Sequence, residues 1–199
     1  ISRDDLDKLF SLESVPLRDR TLWVLAYETW GRAGQELLTL NVEDVDLANR
    51  QAVVAGKGGD KELVFYGSRS ARLLKRLLTG RTTGPVFLSS RRAAPGTVAP
   101  ADLSPDGYPR LSYRQAADAI RAAGQRIDPT GPAWTLHRLR HSGVVHACDG
   151  LGPNASWSLP AIMAKSRHQS IRSVERYAYC PPDTAAALTD DLDHTRRRR

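Results

Sequence analysis

Basic side chains and one tyrosine fall at spacings that suit chemistry on a phosphodiester. His137 and Arg140 lie three residues apart, so a helix places them on one face. A guanidinium there can hold two nonbridging oxygens of one phosphate, where charge gathers during phosphoryl transfer. Further along, His168 precedes Tyr177 by nine residues. Nearby cations stabilise a tyrosine phenolate, which is otherwise scarce at neutral pH because the reference pKa of tyrosine is about 10. The pattern predicts a phosphate site with a tyrosine nucleophile.

Two more cations precede these residues, and both follow glycines. Arg32 comes directly after Gly31, where an apolar-periodic stretch ends, and Lys57 lies in the Gly-rich turn 56–60. Each of these residues also has a structural interpretation when taken alone. The pair His137 and Arg140 would then be part of a solvated basic helix face, and Tyr177 would be a packed tyrosine with a hydrogen-bonded hydroxyl. Taken together, they favour DNA strand transfer through a phosphotyrosine.

In order and spacing, this set resembles the catalytic residues of the tyrosine recombinase, or phage integrase, family. That family is recognised by an Arg after the first core helix, a Lys in a β-hairpin turn, a His-x-x-Arg pair, a His or Trp, and a Tyr nine residues later. The resemblance covers nearly the whole chain and is closest in kind to recombinases of actinobacterial type. The matching residues are Arg32, Lys57, His137, Arg140, His168 and Tyr177.

The resemblance implies a reaction that needs no metal and no cofactor. Tyr177 would attack a scissile DNA phosphate, forming a 3′-phosphotyrosyl bond and freeing a 5′ hydroxyl that later attacks the partner strand, by way of a Holliday junction. The other implied roles are phosphate binding by Arg32, Arg140 and His168, protonation of the leaving 5′ oxygen by Lys57, and assistance to proton transfer at the tyrosine by His137.

The chain departs from the family pattern at three places. The acidic residue usual three places after the first Arg is replaced by Gln35, and Glu36 follows one place later. One inserted residue would explain this, and it leaves open whether Glu36 supports the site. The usual Leu-Gly before the last His is Ser166 and Arg167. Tyr179 is a rival nucleophile, but the spacing from His168 favours Tyr177.

The elements that must position these residues follow from apolar periodicity and capping residues. The predicted fold class is mixed α+β, mainly α-helical with a small antiparallel β-hairpin sheet, and the resemblance implies the tyrosine recombinase (DNA breaking-rejoining) catalytic-domain fold. Residues 89–110 lack a clear period and are predicted to be an irregular surface excursion. Helices are predicted over 1–10, between Pro16 and Gly31, over 36–40, 68–78, 113–126 and 136–147, from Ser158 and after Pro182, with a loop at 150–156 and strands over 45–47, 51–55 and 62–66.

Composition restricts the class of protein. The 29 basic and 22 acidic residues give a net charge of +7, which suits a polyanionic partner, although four of the charges form the terminal run 196–199. Cys148 and Cys180 are too few for a disulfide scaffold, which indicates a reduced, cytoplasmic setting. The sequence has no long apolar run, so no membrane span is expected. His141 and His146 have no third ligand at metal spacing, and His141 is a possible supporting residue.

We expect one catalytic domain over residues 1–195, a disordered basic tail at 196–199, and absence of the family's N-terminal core-binding domain, for which no room precedes Arg32. The resemblance implies double-stranded DNA as partner and a homo-oligomer, a tetramer when assembled on DNA. The predicted task is integration, excision or transposition of a mobile element. The alternatives are a type IB topoisomerase, a non-catalytic DNA-binding regulator on the same scaffold, and a metal-dependent nuclease, which the lack of an acidic cluster disfavours.

Overall fold

The structure is a computed structural model that describes residues 1–56, 59–148 and 158–167. Its contacts divide the chain into two units, residues 1–142 and residues 143–199. The predicted fold class is confirmed, because the described residues form mainly helices and one small antiparallel sheet. The helices are α1 (Arg3–Ser11), α2 (Leu17–Thr29), α3 (Ser68–Leu77), α4 (Tyr113–Ile127), α5 (Leu136–Cys148) and α6 (Leu159–Ser166), and the strands are β1 (Val45–Asp46), β2 (Gln51–Ala55) and β3 (Lys61–Phe65).

Side-chain oxygens fix where several helices begin. In α1, α4, α5 and α6 a hydroxyl before the first turn accepts a hydrogen bond from the amide three residues later, and such a cap stabilises a helix by about 1 kcal/mol. A cap of another kind serves α3, where the carboxylate of Glu28 in α2 accepts from the amides of Gly67 (2.8 Å) and Ser70 (3.3 Å). The four capping hydroxyls belong to Ser2, Ser112, Thr135 and Ser158.

The first unit has one hydrophobic core, built around α2. Helices α1, α3 and α4 all contact α2, which explains why most of its residues are buried on every side. Trp134, just before α5, packs against Gly124 of α4, where a Cβ atom would come within 2.6 Å of the indole ring. Trp23, Trp30 and Trp134 are all buried and act as packing residues.

The sheet has the order β1-β2-β3, with antiparallel pairs throughout. Alternate residues of the hairpin, Ala52, Val54 and Val64, are buried, as expected for strands with one face on the core. The predicted hairpin is confirmed, and the amide of Gly56 closes its turn on the carbonyl of Asp60. Residues 57 and 58 at the tip lie outside the described residues.

The connection between α2 and the sheet corrects two predictions. Instead of a helix over 36–40, residues Ala33–Leu37 form a π-helical turn, in which the amide of Leu37 bonds the carbonyl of Arg32, five residues back (3.2 Å). Such a turn holds one residue more than an α-helical turn, which is how an inserted residue is accommodated. Helix α2 also ends earlier than expected, because Trp30 rather than Gly31 adopts the left-handed conformation (φ 54°).

The predicted irregular excursion over 89–110 is confirmed, and its only regular element is a short 3₁₀ turn at Pro100–Asp102. One side chain, Arg110, ties its end to the residues that follow the π-helical turn. Because α4 begins three residues later, these bonds also fix the start of α4 relative to that turn. The Arg110 guanidinium donates to the carboxylate of Asp102 (2.7 Å), the carbonyls of Leu38 (3.1 Å) and Leu40 (3.0 Å) and the amide oxygen of Asn41 (2.8 Å).

In the second unit the structure describes the end of α5 and the helix α6. Val144, Cys148 and Ile162 are buried there. Helix α6 begins at the predicted Ser158 cap. None of the helices in the described ranges is long and apolar enough to cross a membrane. The predicted loop at 150–156, the helix after Pro182 and the tail at 196–199 lie outside these ranges.

Candidate active site

A cleft of about 250 Å³ lies on the first unit between the π-helical turn and the start of α5. Three of the predicted catalytic residues, Arg32, His137 and Arg140, line it together. The two segments that supply them are far apart in sequence, so the fold rather than local structure brings them together. The rest of the lining consists of Gly31, Ala33, Gly34, Gln35, Tyr113 and Leu136.

Arg32 is held by Glu36. One Glu36 carboxylate oxygen accepts from the Arg32 guanidinium (2.9 Å) and the other from the Arg32 backbone amide (2.9 Å). Glu36 is 1% exposed, whereas the Arg32 side chain is 37% exposed. A buried carboxylate is tolerated only when it is paired and hydrogen-bonded. In the described part of the chain no other residue bonds the Arg32 guanidinium, whose five donors leave several for a ligand.

The geometry explains how Glu36 reaches Arg32 despite the extra residue. At an ordinary helix start, a Glu three residues after the N-cap bonds back to the N-cap amide. Here Arg32 is the N-cap residue and Glu36 is four residues on, but the wider π-helical turn returns it to the same position. The carboxylate of Glu36 therefore contacts Arg32 despite the extra residue, while its support of the site stays a prediction.

Arg140 is fixed from the other side of the cleft. It is 5% exposed, and its guanidinium donates a hydrogen bond to the carbonyl of Trp30. That carbonyl is available because the left-handed conformation of Trp30 ends α2 and turns the chain away from the helix axis. The turn at Trp30 therefore joins both arginines, since Arg32 follows it by two residues.

Helix α5 orients the His-x-x-Arg pair as predicted. Leu136 and Leu139 are buried in the core, and His137 on the other side is exposed to the cleft. Burial of two leucines is worth about 3 to 6 kcal/mol, which is more than any single polar contact of this helix contributes. The apolar residues thus decide the rotation of α5, and the basic pair follows from it.

The remaining predicted residues differ in what the structure says of them. His141 is exposed on α5 and does not line the cleft. Lys57, His168 and Tyr177 lie outside the described residues, and so does the rival Tyr179. Their assignment stays a prediction from the sequence.

The sequence did not indicate the part that two residues, Trp30 and Tyr113, play at this site. Nothing in the local sequence signals that the backbone carbonyl of Trp30 accepts a hydrogen bond from Arg140. Tyr113 was predicted only as the first residue of a helix, yet its side chain lines the cleft and is 54% exposed. An aromatic residue at the solvent-facing start of an amphipathic helix was the one available signal.

The fold and the cleft define a class of protein. It is a largely helical domain with a small antiparallel sheet, in which two arginines line one cleft. Within that class the chain belongs to the phage integrase family, whose family model matches residues 1–180. The resemblance seen in the sequence is thereby confirmed.

Named relatives are tyrosine recombinases. The chain is 28% identical over 200 residues to tyrosine recombinase XerC of Pelobacter propionicus, covering 94% of this chain and 58% of the relative. It is 28% identical over 174 residues to tyrosine recombinase XerD of Bifidobacterium longum, covering 87% of this chain and 53% of the relative. The chain thus spans little more than half the length of these relatives.

Solved structures share the fold at low sequence identity. The crystal structure of XerA recombinase superposes with a TM-score of 0.69 at 19% identity, over 100% of this chain and 65% of that one. XerH site-specific recombinase bound to difH substrate gives a TM-score of 0.71 at 17% identity, over 98% of this chain and 54% of that one. The fold is therefore that of a tyrosine recombinase catalytic domain.

Proposed function

We propose that this chain is the catalytic domain, over residues 1–195, of a site-specific DNA recombinase that cleaves and rejoins DNA through a 3′-phosphotyrosyl intermediate. The observation that carries the proposal is the cleft in which Arg32, held by buried Glu36, and Arg140, held by the Trp30 carbonyl, meet His137. Family membership supports the same reaction.

The first requirement of the proposed reaction is a set of cations that stabilise negative charge on the phosphate in the transition state. A nonbridging phosphate oxygen carries more negative charge in the transition state than in the bound DNA, so guanidinium groups already in place stabilise the transition state selectively. Arg32 has the required character, since Glu36 holds its guanidinium through a hydrogen bond that does not consume all its donors, and the Trp30 carbonyl positions the Arg140 guanidinium at the same cleft. Removal of one such donor costs about 10² to 10³ in rate.

The atoms of the proposed step balance without a metal or nucleotide. The Tyr177 phenolate oxygen forms a bond to phosphorus, the bond from phosphorus to the 5′ oxygen breaks, and Lys57 gives a proton to that oxygen. His137 assists removal of the phenolic proton, and His168 hydrogen-bonds the phosphate. In the second step the 5′ hydroxyl of the partner strand attacks the phosphotyrosine, forming a Holliday junction and releasing the tyrosine.

The proposed partner is double-stranded DNA, and the proposed assembly on it is a tetramer. XerH was solved bound to its difH substrate, and the Tn1549 transposon integrase in complex with circular intermediate DNA. We propose that the task is integration, excision or transposition of a mobile element. The reaction would take place in the cytoplasm, which fits the low cysteine content.

Covalent trapping tests the proposal. A duplex selected by the protein from a random pool is nicked near the cleavage point, so that the short 5′-hydroxyl strand is lost after cleavage. We expect an SDS-resistant protein-DNA adduct that persists in EDTA, is lost in Tyr177→Phe and is retained in the matched control Tyr179→Phe.

The rival functions give different results in the same assay. Sound DNA binding without any adduct would refute the recombinase and leave a regulator. An adduct that turns over by relaxing plasmids, with no exchange between two differently labelled duplexes, would indicate a topoisomerase. Cleavage that EDTA abolishes would indicate a metal-dependent nuclease. Sedimentation of the trapped complex measures whether four chains assemble on two duplexes.

A further inference from the structure

Tyr113 is an aromatic residue that the core does not use. Its side chain is 54% exposed, although it lies on the first unit beside a well-packed helix start, and it lines the same cleft as Arg32, His137 and Arg140. Its ring is therefore accessible to a ligand that binds in the cleft, where aromatic side chains commonly form part of the lining.

The protein fixes both the ring of Tyr113 and the backbone that carries it. The ring packs on Gly34 of the π-helical turn, where a Cβ atom would stand 3.1 Å from the ring atom Cδ2. Any larger residue at position 34 would have to displace the ring. The backbone of Tyr113 is fixed because Ser112 and Gln115 form a capping box at the first turn of α4, and because Arg110 ties the start of that helix to the residues after the π-helical turn. The ring is thus prearranged at the cleft.

The hydroxyl of Tyr113 is able to donate a hydrogen bond to a ligand. Among the residues that the structure describes, none forms a hydrogen bond with it. Tyrosine hydroxyls in the interior normally find a partner within the protein, whereas tyrosines at DNA interfaces commonly donate to phosphate oxygens. The cations of the cleft would hold one phosphate of the DNA backbone. The neighbouring nucleotide of the same strand would then lie next to Tyr113 at the edge of the cleft.

We propose that Tyr113 is a DNA-contacting residue, whose hydroxyl donates a hydrogen bond to a backbone phosphate next to the scissile one while its ring packs on the adjoining deoxyribose. This inference rests on the proposed function for the position of the scissile phosphate. Tyr113 would be a binding residue and would take no part in bond making or breaking. Because the hydroxyl is neutral, its contribution would add to affinity without releasing a counterion.

The test measures binding apart from cleavage. The dissociation constant of the chain carrying Tyr177→Phe is compared with and without Tyr113→Phe on the selected duplex, over a series of salt concentrations from about 50 to 200 mM. We expect Tyr113→Phe to weaken binding about three- to tenfold, the usual net effect of one hydrogen bond at a solvent-accessible position, with an unchanged slope of log affinity against log salt. Tyr113→Ala should weaken binding at least as much.

A matched control removes the same hydroxyl elsewhere. Tyr108, in the surface excursion, stacks with Arg92 and does not line the cleft, so Tyr108→Phe should bind DNA as the parent does. The proposal is overturned if Tyr113→Phe binds as tightly as the parent, or if both variants weaken binding equally. Failure of the proposed function is a separate result, because it appears as the absence of a covalent adduct from the unmutated chain.

Discussion

The guanidinium of Arg140 donates a hydrogen bond to the backbone carbonyl of Trp30, two residues before Arg32. The two arginines of the cleft therefore share one short turn of chain. That turn is held in a left-handed conformation that costs a non-glycine residue about 1 to 2 kcal/mol, and the buried Trp30 ring compensates. A substitution at either arginine should therefore alter the position of the other.

Replacing Arg140 by lysine should separate charge from geometry. Lysine keeps the positive charge but presents a single ammonium group, which cannot bond the Trp30 carbonyl and a phosphate in the manner of a planar guanidinium. We expect Arg140→Lys to lower the initial rate of adduct formation at least about 100-fold. The control is Arg138→Lys, since among the described residues the Arg138 guanidinium donates to the Pro132 carbonyl, and Arg138 does not line the cleft. Similar rates for both variants would contradict the assignment.

Replacing Glu36 by glutamine should loosen Arg32. Glutamine can accept from only one of the two Arg32 groups, and its amide donors face the guanidinium. We expect Glu36→Gln to lower the rate of adduct formation at saturating DNA about 10- to 100-fold, with a loss of about 1 to 3 kcal/mol in the free energy of unfolding. Both are measured on protein shown to be folded by circular dichroism.

The control for that variant is Glu43→Gln. Glu43 also accepts from a backbone amide, that of Gly84, but it is exposed and does not line the cleft of Arg32. A positioning role for Glu36 requires that the two variants differ in the rate at saturating DNA. If Glu36→Gln lost only stability, Glu36 would be a structural residue.

Glu28→Gln should weaken the start of α3. The carboxylate of Glu28 accepts from the amides of Gly67 and Ser70 at the positive end of that helix, so its charge adds to the hydrogen bonds. We expect a loss of about 0.5 to 1 kcal/mol in the free energy of unfolding by urea, reduced at high salt. Glu13→Gln, at an exposed residue outside the helices, should change nothing measurable. An equal effect of both would indicate general charge rather than capping.

Tyr66 should make stability depend on alkaline pH. Burial, with a contribution from Asp46, raises the pKa of Tyr66 to about 12, against about 10 in the unfolded chain. The folded state holds the phenolic proton more tightly, so the stabilisation is complete below pH 10 and is lost as the pH rises toward 12. Tyr66→Phe also loses the hydrogen bond to the Asp46 carbonyl, about 1 kcal/mol at pH 8. Urea unfolding of both proteins should show their difference shrinking between pH 10 and 12; a constant difference would contradict this.

The parts of the fold that sequence predicts well are those set by local chemistry. The hydroxyls of Ser2 and Ser158 mark helix starts because a cap acts within one turn of chain. The face shared by His137 and Arg140 follows from the burial of Leu136 and Leu139 beside them, which apolar spacing already indicates. The hairpin follows from alternating residues around a Gly-rich turn.

The parts that sequence missed depend on packing across the chain. The general preference of glycine for left-handed backbone favours Gly31 as the end of α2, yet Trp30 takes that conformation because its ring is buried and its carbonyl meets Arg140. The exposed ring of Tyr113 depends on the close approach of Gly34, far away in sequence. The roles of Lys57, His168 and Tyr177 stay predictions.

The π-helical turn at Ala33–Leu37 makes this neighbourhood tolerant of a change in chain length. The extra residue is absorbed within one turn, so the sheet and every later element keep their register, and the carboxylate of Glu36 still meets Arg32. Removing a residue between them would restore an ordinary α-helical turn with the acidic residue three places after the arginine. A turn with one residue more or one residue fewer is therefore compatible with the same ion pair between Arg32 and the acidic residue that follows it.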